Sequence, residues 1–160
     1  MKKGVMIALL VGLLVISGCK ESNSYTGKTI AEEPQIGQLQ VVINSVEKSK
    51  DISFYSAEAE AEKGYTYLIL DITVKNSGQI TFDFNPFLTK ITDENGYSYE
   101  YDVSSYELSP YFDSVGIQSG RSASGKLSYA VPENSRGLKF IIESYSRNII
   151  AEVKLPAQTA

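Results

Sequence analysis

The sequence predicts an all-β domain, folded as an antiparallel β-sandwich of seven or eight strands. From Gly37 onward, apolar side chains alternate with polar ones along most of the chain, which is the period of a half-buried strand. Asn, Gly and Pro residues, which favour turns, separate the alternating segments. This part of the sequence has no long helical period. Two packed sheets are the simplest way to bury one face of every such strand.

The first 18 residues have the form of an export signal. Two lysines follow Met1, and residues 4–16 are uncharged. This run matches a signal-peptide core and is shorter than the roughly 20 residues of a spanning helix. It ends in Ile16-Ser17-Gly18-Cys19, which resembles the lipobox of bacterial lipoproteins. The resemblance implies cleavage between Gly18 and Cys19 and a diacylglyceryl lipid, with acyl chains such as palmitate, on the Cys19 sulfur.

The next segment is predicted to be a disordered tether, because residues 19–36 are mostly polar and include Glu32-Glu33-Pro34. We therefore divide the chain into a lipoprotein signal peptide at residues 1–18, the lipidated cysteine and tether at 19–36, and the β-sandwich domain at 37–156. Two or more acyl chains hold a protein stably on a bilayer. The expected location is the extracytoplasmic face of the cell membrane.

The first half of the domain is predicted to contain three strands. The first covers residues 39–43, and the strongest alternation follows at 67–75, with the even-numbered side chains facing the core. Residues 76–78 form a turn, and a third strand covers 80–84 until Pro86 interrupts it. Between the first two strands, residues 52–63 contain a repeated Ala-Glu pair, and we expect a loop or a short helix there, as a mobile excursion.

The second half is predicted to begin with a hairpin. Residues 88–92 and 97–103 flank Asp93-Glu94-Asn95-Gly96, and Asn-Gly between alternating segments is a strong hairpin signal. The remaining predicted strands are residues 126–131, 138–142 and 149–155. The simplest arrangement of these elements is a sandwich of immunoglobulin type.

Three segments form a pattern when they are taken in order. Gly64–Gly78 ends a strand in Asn-Ser-Gly, Phe87–Tyr99 is the hairpin around Asp-Glu-Asn-Gly, and Ile117–Pro132 has two spaced glycines before a strand that stops at proline. Together they resemble the bacterial lipoprotein domain known as domain of unknown function 4352, which is similar to immunoprotective extracellular antigens with an immunoglobulin-like fold. One departure is Ser119-Gly120, where the family often has Pro-Gly.

The resemblance covers residues 36–155 and implies an immunoglobulin-like fold and a Gram-positive origin. The family has no agreed activity, so it implies no catalytic residues. Without the family, Gly120 suits a turn, and Gly125 suits a close approach of two backbones.

Composition argues against several function classes. The chain has 15 basic and 19 acidic residues. Loss of Lys2 and Lys3 with the signal peptide leaves 13 against 19, a mature net charge of −6, which disfavours nucleic acid as a partner. There is no His, and Cys19 is the only cysteine, so neither an internal disulfide nor the usual catalytic-zinc ligand sets can form. We expect no cofactor and no metal.

Two motifs have a chemical interpretation that their context argues against. Ser45-Val-Glu-Lys48 has the Ser-x-x-Lys spacing of penicillin-interacting enzymes, but it falls at the end of a predicted strand, where residues three apart point to opposite faces. Asp93-Glu94-Asn95-Gly96 offers oxygen ligands for calcium but lacks the length of a calcium loop. Composition does not exclude a glycosidase-like pair of carboxylates, although nothing in the sequence singles out two of them.

The eleven tyrosines are the most suggestive feature. Three alternate along one predicted strand and are expected to line its core face: Tyr97, Tyr99 and Tyr101. Residues 104–114 fit a strand poorly, and their aromatic side chains suit recognition of a protein or a sugar. The candidate recognition loop is formed by Tyr106, Tyr111 and Phe112.

These observations predict a non-enzymatic binding or accessory module that is held on the membrane by lipid, with an envelope or surface protein as its candidate partner. One alternative is a structural or envelope-stress lipoprotein that assembles with other envelope proteins. Another is a carboxylate-based hydrolase, which needs a cleft with paired acids.

Overall fold

Strands account for almost all regular structure in the computed structural model, which describes residues 39–53 and 58–157. The predicted signal peptide at 1–18 and tether at 19–36 lie outside the described residues. The strands are β1 (Leu39–Ser49), β2 (Asp51–Ser53), β3 (Glu58–Glu60), β4 (Tyr65–Asn76), β5 (Phe82–Phe84), β6 (Thr89–Thr92), β7 (Ser98–Glu100), β8 (Val115–Ile117), β9 (Ser122–Pro132), β10 (Lys139–Glu143) and β11 (Ile149–Lys154). The short 3-10 helices are Pro86–Leu88 and Val103–Glu107. Within the described ranges, no helix has the length and hydropathy needed to cross a bilayer.

Two antiparallel sheets enclose the core. One has the strand order β1-β4-β9, and the other has the order β11-β10-β6-β7. Leu68 and Ile72 of the first sheet share one buried cluster with Phe140 and Val153 of the second. A core shared by two facing sheets makes the domain a β-sandwich, which confirms the predicted fold class. The main sheets contain seven strands, in agreement with the prediction, and β2-β3 and β5-β8 form two additional ribbons.

The central strand β4 is buried on both faces. Its even-numbered apolar side chains from Leu68 to Val74 are buried against the second sheet, as the alternation predicted. On the opposite face, Tyr67 and Ile69 are also buried and form a second, smaller cluster with Ile52 of β2. The β2-β3 ribbon therefore covers part of the outer face of the three-stranded sheet.

The expectation of a loop or a short helix at residues 52–63 was wrong at residues 52–53 and 58–60, which are strands, whereas residues 61–63 form a loop. β2 and β3 pair as antiparallel strands, with Ile52 opposite Ala59. The repeated Ala-Glu pair itself has a period of two, since Ala59 and Ala61 pack on the smaller cluster while Glu60 and Glu62 are exposed. Small side chains suit this ribbon because it packs directly on β4.

One buried carboxylate links the four-stranded sheet to the β10-β11 turn. Glu143 is almost fully buried and forms ion pairs with Lys90 of β6 and with Arg147, whose Nη1 lies 3.1 Å from the carboxylate. Burial on its own would raise the pKa of Glu143, but the hydrogen bonds and charges of Lys90 and Arg147 outweigh it and hold this pKa below its usual value. The group of three has a net charge of +1, because two cations surround one anion.

Candidate functional site

A loop closes the exposed edge of the three-stranded sheet. Strand β9 is the last strand in the order β1-β4-β9, and the segment 102–112, here called the edge loop, runs along its open side. The Asp102 amide donates to the Ser128 carbonyl at 2.9 Å, and the Lys126 amide donates to the Pro110 carbonyl at 2.8 Å. An open edge attracts other strands. The edge loop satisfies these groups of β9 and thereby protects it.

A buried serine cluster fastens the first half of the edge loop. Ser105 Oγ accepts a hydrogen bond from the Ser128 amide at 2.7 Å and donates one to the Asp102 carbonyl at 2.7 Å. Ser104 Oγ lies 2.8 Å from Ser128 Oγ. The Asp102 side chain caps the 3-10 helix by accepting from the Ser104 amide. Each of these hydroxyls is hydrogen-bonded within the protein, so we assign them a structural role, which is to hold the loop against β9.

The second half of the edge loop packs into the core. Phe112 is only 2% exposed, and its ring stacks on Phe84 with a centroid distance of 4.1 Å. Gly125 lies directly under the Phe112 backbone, since a Cβ built on Gly125 would be 2.6 Å from Phe112 Cα. The predicted close backbone approach at Gly125 is therefore confirmed. The placement of Phe112 in an exposed loop was wrong, because the loop returns to β9 at this residue and the ring fills the space beside β5.

Next to the buried Phe112 lies a cluster of four rings that we call the aromatic patch: Phe87, Tyr101, Tyr106 and Tyr111. Tyr101 is buried at its base, in edge contact with Phe87 and Tyr106 at centroid distances of 5.0 and 6.4 Å. Tyr111 lies 4.8 Å from Tyr106, and its hydroxyl accepts a hydrogen bond from Tyr101 at 3.1 Å. Phe87 and Tyr106 are each 53% exposed. The patch thus presents two open rings on a packed aromatic base.

The structure brings Tyr106 and Tyr111 together, but their environments differ. Tyr106 is exposed, as expected for a recognition loop, whereas Tyr111 is half-buried. Phe87 was missed by the sequence analysis, which regarded its neighbour Pro86 only as the end of a strand. The local signal was Asn85-Pro86, since Asn85 caps the 3-10 helix by accepting from the Phe87 amide at 3.0 Å.

The predicted core face of Tyr97, Tyr99 and Tyr101 is only partly correct. Tyr101 is buried and Tyr99 is half-buried, but Tyr97 is 68% exposed. Tyr97 precedes β7 and belongs to the hairpin turn, so strand alternation does not apply to it.

The Tyr101 and Tyr111 hydroxyls of the patch are neutral near physiological pH. Burial raises the pKa of Tyr101. Burial also raises the pKa of Tyr111, and the neighbouring Tyr101 and Tyr106 hydroxyls raise it further. Neutral phenols can donate and accept hydrogen bonds, and their ring faces can stack. The arrangement therefore suits recognition rather than proton transfer.

Side chains of the Ser-x-x-Lys motif and of the Asp93–Gly96 turn make structural hydrogen bonds. Ser45 and Lys48 lie on β1, where Lys48 Nζ donates to the Glu133 carbonyl at 3.2 Å. The Asp93 carboxylate closes its hairpin by accepting from the amides of Asn95 and Tyr97 at 2.9 and 3.0 Å. Burial opposes ionisation of Asp93, but these bonds, with one from Tyr99, keep its pKa below the usual value. Among the described residues, no group of three metal-ligating side chains is present.

Solved structures of other bacterial proteins have a similar fold. The yjhA protein from Bacillus subtilis is similar over 74% of this chain and 82% of its own, with 16% identity and a TM-score of 0.50. The suggested lipoprotein ycdA from Bacillus subtilis has 16% identity and a TM-score of 0.55 over 76% of this chain, which spans only 39% of ycdA. At such identity these likenesses show the fold alone.

No curated protein sequence matches this chain significantly. A family model described as "Domain of unknown function (DUF4352)" matches residues 29–150, about three quarters of the chain. This match confirms the resemblance that the three ordered segments indicated. The chain therefore belongs to the DUF4352 family.

Proposed function

We propose that this protein is a lipid-anchored extracytoplasmic module, without enzymatic activity, that binds an envelope or surface protein through the aromatic patch. The observation that carries the proposal is the pair of half-exposed rings, Phe87 and Tyr106, on the buried base formed by Tyr101. Tyrosine and phenylalanine are enriched at protein interfaces, where a few aromatic side chains supply most of the affinity.

The edge loop supports this proposal by holding the patch in place. The Asp102 amide donates to the Ser128 carbonyl of β9, and the Pro110 carbonyl accepts from the Lys126 amide of β9. Together with burial of Phe112, these bonds fix both ends of the loop. A preorganised surface loses little conformational entropy on binding, so more of the contact energy contributes to affinity. The uncharged patch is therefore suited to a partner that buries Tyr106 and Phe87 at the centre of its interface.

The anchor part of the proposal predicts that Cys19→Ala abolishes acylation and moves the protein from the membrane fraction to the soluble fraction. Removal of the only thiol leaves the diacylglyceryl group without an attachment point. Cell fractionation with mass spectrometry of the mature N-terminus measures both effects. Ser17→Ala, which keeps a small residue before the cleavage point, is the matched control and should stay in the membrane. Full membrane retention of Cys19→Ala would contradict the anchor.

The binding part predicts that Phe87→Ala combined with Tyr106→Ala weakens partner binding by at least about 30-fold, as loss of a hot spot of about 2 kcal/mol would. The partner is first identified by site-specific photo-cross-linking from position 106 in intact cells, and binding is then titrated with purified proteins. Tyr97→Ala combined with Tyr145→Ala removes comparable exposed aromatic surface elsewhere and should leave the affinity unchanged.

Cross-linking also separates the proposal from its alternative. A single defined partner supports recognition by the patch. Diffuse cross-links to many neighbours would instead indicate a structural role among envelope proteins and would contradict the proposal. Equal affinity losses in both double variants would place the interface outside the patch.

A further inference from the structure

One end of the sandwich combines exposed apolar side chains with positive charge. We call this end the tether pole, because β1 begins there: Leu39 pairs with Asn76, the last residue of β4. The Asn76 amide donates to the Arg121 carbonyl at 2.9 Å, which places the turn before β9 at the same end. Strand β9 runs away from this end. Strand β10 follows after a short connection and runs back, so the β10-β11 turn points towards this end.

The apolar side chains of the tether pole come from separate turns. Ile80 follows β4, Tyr145 lies in the β10-β11 turn, and Ile149 begins β11. Each is more than half exposed, and Tyr145, at 77%, is the most exposed large hydrophobic residue of the described chain. Aromatic and aliphatic side chains beside cations are typical of surfaces that rest at the lipid-water interface.

Charge is sorted along the long axis of the sandwich. The turns of the tether pole, residues 76–81, 117–122 and 144–149, contain two arginines and no acidic residue, a sum of +2. The opposite pole, at residues 58–66, 93–97 and 132–137, contains six acidic and two basic residues, a sum of −4. The chain as a whole is negative. Positive charge is thus concentrated where the chain enters the domain from its N-terminal side.

We propose that the tether pole docks on an anionic bilayer, with Tyr145, Ile80 and Ile149 at the interface and with cationic side chains against lipid phosphates. The docking deepens the proposed function and rests on its anchor, because residues 19–38 join the lipidation site to this pole. Twenty residues span at most about 70 Å even when fully extended, which keeps the pole within reach of the bilayer. Ion pairing leaves a net positive charge beside Tyr145, since Glu143 is shared by Lys90 and Arg147.

The chain offers a direct test, because it has no tryptophan and one cysteine. The mature chain, residues 19–160, is coupled through the Cys19 thiol to a maleimide lipid in vesicles of phosphatidylglycerol and phosphatidylcholine. Tyr145→Trp reports on the tether pole, and Tyr97→Trp, at a similarly exposed site on the opposite pole, is the matched control. We expect blue-shifted emission and quenching by brominated lipid for Tyr145→Trp only. Chemical coupling replaces cellular lipidation, so failure of docking and failure of the anchor can be distinguished.

Charge is tested with the unlipidated Cys19→Ser chain and the same vesicles. Lys75, at the end of β4 beside the tether pole, and Arg121, within it, are exposed cations, and Lys63 and Arg136 are exposed cations of the opposite pole. Lys75→Gln with Arg121→Gln should weaken co-sedimentation by about fivefold per cation removed, whereas Lys63→Gln with Arg136→Gln should leave it unchanged. Equal losses in the two variants, an equal response of the two tryptophans, or no response to anionic lipid would each overturn the proposal.

Discussion

Replacement of Gly125 by alanine is expected to detach the edge loop from β9 and to lower the free energy of unfolding by about 2–3 kcal/mol. The new methyl group would lie 2.6 Å from both Cα and Cβ of Phe112 and 2.7 Å from its nitrogen. A side-chain rotation cannot relieve this clash, because it involves the backbone. The loop must move instead, which breaks the hydrogen bonds of Lys126 with Pro110 and Phe112.

Denaturant unfolding measures the loss of stability, and hydrogen exchange should show faster exchange at the Lys126 and Ser128 amides. Gly116→Ala is the matched control, because its methyl group would meet only the Asp83 and Thr81 side chains, at 3.3 Å. It should change stability by less than about 1 kcal/mol.

A double-mutant cycle tests whether the loop has left its site. Phe112→Ala alone should cost about 3 kcal/mol or more, because it empties a buried ring position. In the Gly125→Ala background the same change should cost clearly less, since the ring has already lost its contact with Phe84. Full additivity of the two costs would show that Gly125→Ala leaves the loop in place.

Much of the fold could be predicted because strand alternation is a local signal. The even-numbered side chains of residues 68–74 face the core as their period required, and Asn95-Gly96 forms the expected hairpin turn. These features depend on neighbouring residues in the sequence. The hairpin turn also needs a residue that tolerates positive φ, which Gly96 supplies at φ +84°.

The site could not be predicted to the same extent, because its geometry depends on distant parts of the chain. The burial of Phe112 is set by Gly125 and Phe84, and no local pattern reports that packing. Phe87 joins Tyr101 only through the packing of a 3-10 helix against the end of β7. Sequence reasoning therefore found the aromatic segment but assigned the wrong exposure to one of its rings and missed another.

Asn76, which ends β4, is another residue whose turn was predicted from local sequence but whose burial was not. The pattern Asn-Ser-Gly predicted a turn at residues 76–78, but an exposed turn and a buried one have the same sequence. In the structure the Asn76 side chain is fully buried and donates to the Ile80 and Ile117 carbonyls at 2.6 and 2.8 Å. It also accepts from the Gly78 amide at 2.9 Å. Asn76 thus fastens two turns of the tether pole to the end of the central strand.

Asn76→Asp is therefore expected to destabilise the domain by about 3 kcal/mol or more, since two buried carbonyls lose their donors at about 1–3 kcal/mol each. The introduced carboxylate would face the Ile80 and Ile117 oxygens without a proton to share. Denaturant unfolding at neutral pH measures the effect. Asn134→Asp, at an exposed position, adds the same charge and should change stability by less than about 0.5 kcal/mol.

The pH dependence separates the electrostatic cause from simple loss of packing. A carboxyl buried among carbonyls binds a proton more readily in the folded state than in the unfolded state, so its folded pKa is raised. Because the folded state then binds more protons, the deficit of Asn76→Asp relative to the wild type should shrink as the pH falls from about 7 towards 4. Asn76→Ala loses the same donors but introduces no titrating group, so its deficit should stay constant over this range. Parallel pH profiles for the two variants would mean that the Asn76 donors do not hold the two turns.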